Sequence, residues 1–298
     1  QNFKRWEEVL KFRIEQAIAL RQSLGFPNED TTGYRLCNSE SDGLSGLVID
    51  TFNEITVISS SAFWTELHRE FILNLLKQHF PKQKFLWLGQ IKPLQQDGWS
   101  SPHRENVQKT GIFLDQRENH QRLASLCKNK KVLDLYTYHG GFALHAALAG
   151  ATDVTAVDSS APAIEHAKHN ASINGVNHIE WIVDDAKNHL EKAKDYDVIV
   201  LDPPKLVPSK KHLNQAKNLY RFLHRQVFRN MKSGSILMTC NCSSALNTQE
   251  FTQLVAQQAT AEHRQIQILG VYGPAICHPV LPHFPEGQYL TAVLVCVT

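Results

Sequence analysis

No stretch of the 298 residues approaches the roughly 18 consecutive apolar positions that a membrane-spanning helix needs. Neither sign of charge prevails: 31 Lys and Arg stand against 29 Asp and Glu, a net of +2, which excludes a protein that coats nucleic acid by bulk charge. A nucleic-acid partner would need a local patch. Cysteine is present at 37, 127, 240, 242, 277 and 296, but without a CxxC pair or the even spacing of a disulfide framework. A reducing, cytoplasmic compartment is therefore expected, and no metal-ligand pattern stands out. The first residues, Gln1-Asn2-Phe3-Lys4-Arg5-Trp6, hold no apolar signal core and no initiator Met, so a segment upstream is expected.

What is present is a mixed composition, 42% hydrophobic and 20% charged, of a globular protein with room for two domains. Apolar residues at 3, 6, 10, 14, 17 and 24 predict an amphipathic helix over 3–24, stopped by Gly25 and Pro27. β-branched runs at 47–52 and 55–58 around Asn53-Glu54 predict a hairpin, followed by a helix over 62–80 and a strand over 85–88. These make a small α+β unit, assigned to 1–105. Between 90 and 106 the composition turns to Pro, Gln, Ser, Gly and Asp, which reads as a surface connection and a domain boundary.

From 106 to 298 the pattern changes. Strands are expected at 132–136, 154–157, 179–183, 198–201 and 236–240, each followed by a stretch that can be helical, which is the arrangement of a doubly wound, Rossmann-like α/β sheet. The last segments, 266–272 and 288–297, lack a helix between them long enough for a crossover and are expected to form an antiparallel edge pair.

In such a sheet, ligands bind beyond the carboxyl ends of the strands. The first strand ends in Asp134-Leu135-Tyr136-Thr137-Tyr138-His139-Gly140-Gly141-Phe142, where two glycines allow a sharp turn and close approach of backbone to ligand. A glycine pair alone can serve packing only. The second strand, however, ends in Asp158, placed for ribose hydroxyls, and the third in Asp184-Asp185, where an acid can accept from an adenine amino group or simply cap the next helix. With no third glycine and no Lys or Arg in the turn, a nucleoside without phosphates is favoured, and S-adenosylmethionine fits best. The fourth strand ends in Asp202-Pro203-Pro204-Lys205, a rigid platform that aims a carboxylate into the crevice.

The fifth strand carries Cys240 and Cys242 on one face and Asn241 on the other. Cysteine is usually a small core hydrophobe, the reading for Cys37, Cys127 and Cys296. For Cys242 a chemical role is stronger: methylating carbon 5 of a pyrimidine requires a thiolate to add at carbon 6 and later removal of the carbon-5 proton.

At these motifs the chain resembles the RlmI family of class I S-adenosylmethionine-dependent methyltransferases, which act on cytosine carbon 5 in large-subunit ribosomal RNA. The resemblance covers nearly the whole chain and is carried by Tyr34-Arg35-Leu36 through Glu40-Ser41-Asp42-Gly43-Leu44-Ser45-Gly46-Leu47, by Lys109-Thr110-Gly111-Ile112-Phe113-Leu114-Asp115-Gln116-Arg117, by the Tyr138-to-Phe142 turn, by Asp202-Pro203-Pro204-Lys205, by Cys242-Ser243, and by His278-Pro279-Val280 with Pro285-Glu286-Gly287-Gln288-Tyr289-Leu290. It implies Asp115, Gln116 and Arg117 near the methionyl end of the cofactor, Gly140 beneath it, Asp158 on the ribose, Asp185 on the adenine, Asp202 facing the base and Cys242 as nucleophile. Asp134, Tyr138 and Phe142 complete the expected cofactor set. Members often begin with an RNA-binding PUA domain, expected here upstream of the chain or missing.

Four positions depart from the family pattern: His139 for Thr, Leu206 for Phe, Cys277 for Asp and Thr291 for Lys, and these are expected to shape the substrate side of the cleft. The hairpin before the Lys-Thr-Gly string is reduced to Glu105-Asn106-Val107-Gln108. The rivals are a guanine-methylating ribosomal RNA enzyme, which needs no cysteine, and a non-catalytic RNA-binding or assembly factor. Lys128, Lys130 and Lys131, with Lys210 and Lys211, are candidate phosphate contacts, although surface lysines are normally only solvated. The reading includes no membrane partner and leaves a homodimer open.

Overall fold

A computed structural model describes residues 5–99, 112–206 and 213–298. The chain divides into two units, one running to Asp115 with Ile276–Gly287 added, the other comprising Gln116–Ala275 and Gln288–Thr298. The boundary expected at 105/106, the Lys109-Thr110-Gly111 string and Lys210-Lys211 lie outside the described residues.

In the first unit, α1 (Trp6–Ser23) buries Leu10, Ile14, Ala17, Ile18 and Arg21, a stripe at helical spacing, and packs on β1 (Gly33–Asn38). β2 (Leu47–Phe52) and β3 (Ile55–Ser60) form the expected hairpin, and β4 (Lys84–Gly89) pairs in parallel with β3. The helix expected over 62–80 is two helices, α2 (Phe63–Leu67) and α3 (Arg69–His79), meeting at His68, whose backbone (φ −102°, ψ 17°) leaves the helical region. The connection expected from residue 90 contains a further helix, α4 (Ile91–Gln96), whose Pro93 sits in the first turn, where no backbone donor is needed. Arg21 is fully enclosed and forms a fork on Asp42 at 2.6 and 2.8 Å, and it also donates to the carbonyls of Arg35 and Cys277. Its charge is thus matched and its donors are used.

The second unit opens with α5 (Arg117–Ala124). β5 (Lys131–Leu135), α6 (Gly141–Leu148), β6 (Asp153–Asp158), α7 (Ala161–Ile173), β7 (Ile179–Val183), β8 (Val198–Leu201), α8 (Leu213–Asn230), β9 (Ile236–Cys242) and α9 (Thr248–Ala261) follow, then β10 (Ile266–Tyr272) and β11 (Leu290–Val297). Strand order is β10-β11-β9-β8-β5-β6-β7, parallel from β9 to β7. The last two strands are antiparallel as expected, but only β10 is at the edge: β11 lies between β10 and β9. The β7–β8 connection is a 3₁₀ segment, Ala186–Asp195.

Side chains alternate across this sheet. One face, including Leu133, Leu135, Leu201 and Val293, packs on α8, α9 and the 3₁₀ segment; the other, including Val132, Ala156, Val200 and Cys240, packs on α5, α6 and α7. The strand order reverses between β5 and β8, which opens a crevice at their carboxyl ends.

Candidate active site

The register brings the strand ends together. Leu135 pairs with Val157 and Leu201, Asp158 with Val183, and Leu201 with Thr239, so Asp202, one residue on, stands beside Cys240. Asp158, Asp184, Asp202, Cys240 and Cys242 therefore line one edge of one sheet.

The turn after β5 is braced by two carboxylates. Asp134 is fully enclosed, and its Oδ2 accepts from Thr137 Oγ1 at 2.5 Å and from the Ala143 amide at 3.0 Å. Its Oδ1 is buried with no hydrogen-bond partner among the described residues. Burial pushes the Asp134 carboxyl up to about 6; the two donors pull it back partway, and nearby Asp158 adds to the rise. Asp158 accepts from the Tyr138 amide at 2.9 Å and from the Ser160 amide at 2.8 Å. Tyr138 itself takes φ 51°, a left-handed conformation rare for a residue with a side chain, and that amide bond helps to hold it there.

Gly140 has φ +79°, and a Cβ on it would come within 2.6 Å of the Trp181 ring, so the position is closed to any other residue. Gly141 is equally confined by the ring of His120, on α5. Phe142 is buried against His120, with ring centroids 4.4 Å apart; it shapes the turn from below. His120 is held neutral by burial, its value lowered to about 3.

Asp185 caps the 3₁₀ segment, accepting from the Lys187 amide at 3.0 Å, and pairs with Lys187 Nζ at 3.2 Å. The capping alternative seen in the sequence is thus realised. Asp115 lies half-buried in the 3₁₀ turn Leu114–Gln116, and Arg117 lies near Glu118, 3.8 Å apart. The Gln116 amide is 3% exposed and is spent on other side chains: Nε2 donates to Asp202 Oδ2 at 3.1 Å, and Oε1 accepts from Asn119 Nδ2 at 2.7 Å.

The two cysteines of β9 differ. Cys240 is fully enclosed, and its thiol is pushed well above the usual range, first by burial and then by Asp202 and Cys242. Cys242 is partly exposed. Between them, on the opposite face, Asn241 donates to the carbonyls of Ser243 (3.1 Å) and Leu246 (2.8 Å) and accepts from Tyr220 Oη at 3.2 Å, fixing the segment after Cys242.

Of the four departures, only His139 belongs to the turn, its ring beside Tyr138 and 5.4 Å from that of His166. Of the others, Thr291 is enclosed and bonded to Thr248 at the start of α9, and Cys277 is enclosed within the first unit, its Sγ 3.3 Å from His278 Nδ1. Leu206 packs against the core on the α8 side. Sequence reading missed Asn119, Arg122 and Trp181. The 116, 119, 122 spacing on one helical face was the available signal, but nothing in it named Asp202 as the partner.

A family model described as a methyltransferase domain matches residues 126–288. The chain is 33% identical over 95% of its length to ribosomal RNA large subunit methyltransferase I of Aeromonas salmonicida, covering 79% of that protein, and 31% identical over 96% of its length to the protein of the same name in Alteromonas mediterranea, covering 79% of it. The fold superposes on a provisionally assigned methyltransferase crystallised with SAH, at TM-score 0.82 and 20% identity, over 99% of this chain and 83% of that one. With the glycine turn, the row of strand-end acids and Cys242 set at one sheet edge, the chain belongs to the ribosomal RNA large subunit methyltransferase I family.

Proposed function

We propose that the chain methylates carbon 5 of a cytosine in large-subunit ribosomal RNA, using S-adenosyl-L-methionine, through a covalent adduct at Cys242. One observation carries the cysteine assignment: of the two thiols on this face of β9, Cys240, beside Asp202, is enclosed and held protonated, whereas Cys242, two residues on at the strand end, is partly exposed.

The chemistry of the residues present suits the cofactor. The buried, unpartnered Oδ1 of Asp134 beside the turn is an acceptor suited to a methionyl ammonium. Asp158 and Asp185 offer further carboxylate lone pairs for ribose hydroxyls and an adenine amino group.

In the reaction, the Cys242 thiolate adds to carbon 6 of the base, and the electron pair moves to carbon 5. When bound, S-adenosyl-L-methionine supplies the methyl group that carbon 5 takes up. Loss of the carbon-5 proton to a base then drives the carbon 6–sulfur bond to break, returning the thiolate. Asp202, on its Pro203-Pro204 platform, steadies the ring nitrogen or amino group of the cytosine so that carbon 6 stays within reach of the sulfur.

The test is incubation with labelled S-adenosyl-L-methionine and unmodified large-subunit RNA, followed by digestion to nucleosides. Labelled 5-methylcytidine is expected, lost in Cys242→Ala and retained in Cys240→Ala. RNA carrying 5-fluorocytidine should trap a protein–RNA adduct, since fluorine cannot leave as a proton. Label in a guanine nucleoside that survives Cys242→Ala would refute the covalent reading.

A further inference from the structure

The candidate catalytic Asp202 sits at the end of a directional chain of side chains that runs back to a charged group. Arg122 NH1 donates to Asn119 Oδ1 at 3.0 Å; Asn119 Nδ2 donates to Gln116 Oε1 at 2.7 Å and to the Gly273 carbonyl at 3.3 Å; Gln116 Nε2 donates to Asp202 Oδ2 at 3.1 Å. Gln116 and Asn119 are enclosed, at 3% and 0% exposure, so these amides have no bulk water as an alternative partner.

The sense of the chain is not arbitrary. An amide can present either end, but a guanidinium has five donors and no acceptor. Arg122 therefore requires the oxygen of Asn119; that leaves the Asn119 NH2 to face Gln116, which must answer with its oxygen and turn its own NH2 on Asp202. Arg122 is itself fixed, by Glu118 Oε2 at 3.0 Å and by stacking over the Tyr272 ring, 4.6 Å to the centroid. The consequence at the far end is that Asp202 Oδ2 is met by a donor, the arrangement that suits a carboxylate and not a carboxylic acid.

We propose that Asn119 and Arg122 are positioning residues that set Gln116 so that Asp202 is held as an ionised, correctly aimed carboxylate in the methyl-transfer site. The catalytic meaning of this rests on the reading of Asp202 given above, while the donor sense stands on the geometry alone. Such a device has a purpose here. Cys240 and Tyr220 lie within electrostatic reach of Asp202, and Cys242 within reach of both of them; negative charge on a nearby thiolate disfavours an ionised carboxylate. A donor with fixed polarity counters that push.

The experiment follows the ionisation of Asp202 directly, by carbon-13 carboxyl titration in aspartate-labelled protein, the resonance being identified by its loss in Asp202→Asn. Beside it, kcat and KM for RNA are measured against pH. In Asn119→Asp both oxygens at 119 only accept, so Gln116 must reverse and present its oxygen to Asp202. The Asp202 titration is then expected to rise by about one pH unit or more, the acid limb of kcat to rise with it, and KM to change less than about threefold. Because that variant buries a new charge, the partly exposed Arg122 provides a second test: Arg122→Lys, still donor-only, should keep the Asp202 titration near that of the parent, and Arg122→Met should raise it. An Asp202 titration that moves less than about 0.3 units in Asn119→Asp, or Arg122→Lys and Arg122→Met behaving alike, overturns the proposal. A shifted titration with an unshifted kcat profile keeps the donor relay and overturns instead the catalytic reading of Asp202.

Discussion

Asp134 is a single residue whose ionisation works against the fold. Its carboxyl is raised from 3.8 to about 6, first by burial. Between those values the native state binds more protons than the unfolded chain, so stability falls as pH rises through that window and the deficit persists at neutral pH. A shift of that size corresponds to on the order of 3 kcal/mol. Asp134→Asn keeps an oxygen for Thr137 and Ala143 while removing the charge. It is expected to raise the melting temperature of the ligand-free protein at pH 7.5, to remove most of the pH dependence of stability between pH 4 and 6, and to weaken S-adenosyl-L-methionine binding at least about tenfold, since the unpartnered Oδ1 is lost as an anionic acceptor. Thermal scans across pH and calorimetric titration read both effects. Unchanged cofactor affinity would remove Asp134 from the cofactor site and leave it a turn residue only. The sequence put this acid near the end of the first strand and in the cofactor set, but the spacing of 134, 137 and 143 does not reveal that one carboxylate oxygen closes the turn while the other has no hydrogen-bond partner among the described residues.

At the scale of the element, β9 carries two jobs on its two faces. Cys240 and Cys242 face the α5 side, and Asn241 faces α8, where its amide ties down the carbonyls of Ser243 and Leu246 and takes the Tyr220 hydroxyl. Asn241→Ala leaves those buried groups without partners, a loss of about 2–4 kcal/mol, whereas Tyr220→Phe removes one bond at about 1 kcal/mol. Urea unfolding should rank the two in that order. Because the segment after Cys242 is what Asn241 anchors, Asn241→Ala should also lower kcat more than it weakens cofactor binding; equal losses in both would mean that the anchor serves the whole sheet and not the nucleophile. The alternation of this strand was legible from sequence, since period-two patterning fixes which residues share a face. β1 was not: Tyr34 and Leu36 are buried with Arg35 between them on the other face, paired with Asp50 at 2.6 Å, but the register shifts between Arg35 and Cys37 and breaks the alternation within the strand. The 3₁₀ segment Ala186–Asp195 was hidden for a related reason, its Asp185 cap being indistinguishable from a ligand-binding acid until the Lys187 amide bond was seen.

Across the whole molecule, the order of the chain and the order of the sheet part company at the carboxyl terminus. The sequence suggested the two closing strands and their antiparallel sense, because no crossover helix fits between them, but it could not show that the final strand lies inside the sheet or that Ile276–Gly287 leaves for the first unit before it. The first depends on long-range pairing, Leu290 with Cys242 through Cys296 with Ile236, which no local pattern encodes. The consequence is testable. β11 is paired on both sides, to β9 and β10, and buries Leu290, Val293, Leu294, Val295 and Val297 almost completely. At roughly 1.5–3 kcal/mol for each large aliphatic side chain, these residues alone match the 5–15 kcal/mol that separates a typical domain from its unfolded state. A chain ended after Gly287 is therefore expected to lose cooperative unfolding and cofactor binding together, although every candidate site residue is retained. Substitution of exposed Ile268 on β10 by Thr should shift stability by less than about 1 kcal/mol. Far-UV circular dichroism with thermal scans in the presence and absence of S-adenosylhomocysteine would separate the outcomes, and a truncated chain that still melts cooperatively and is stabilised by that ligand would show that β9 can close the sheet without the strand beside it.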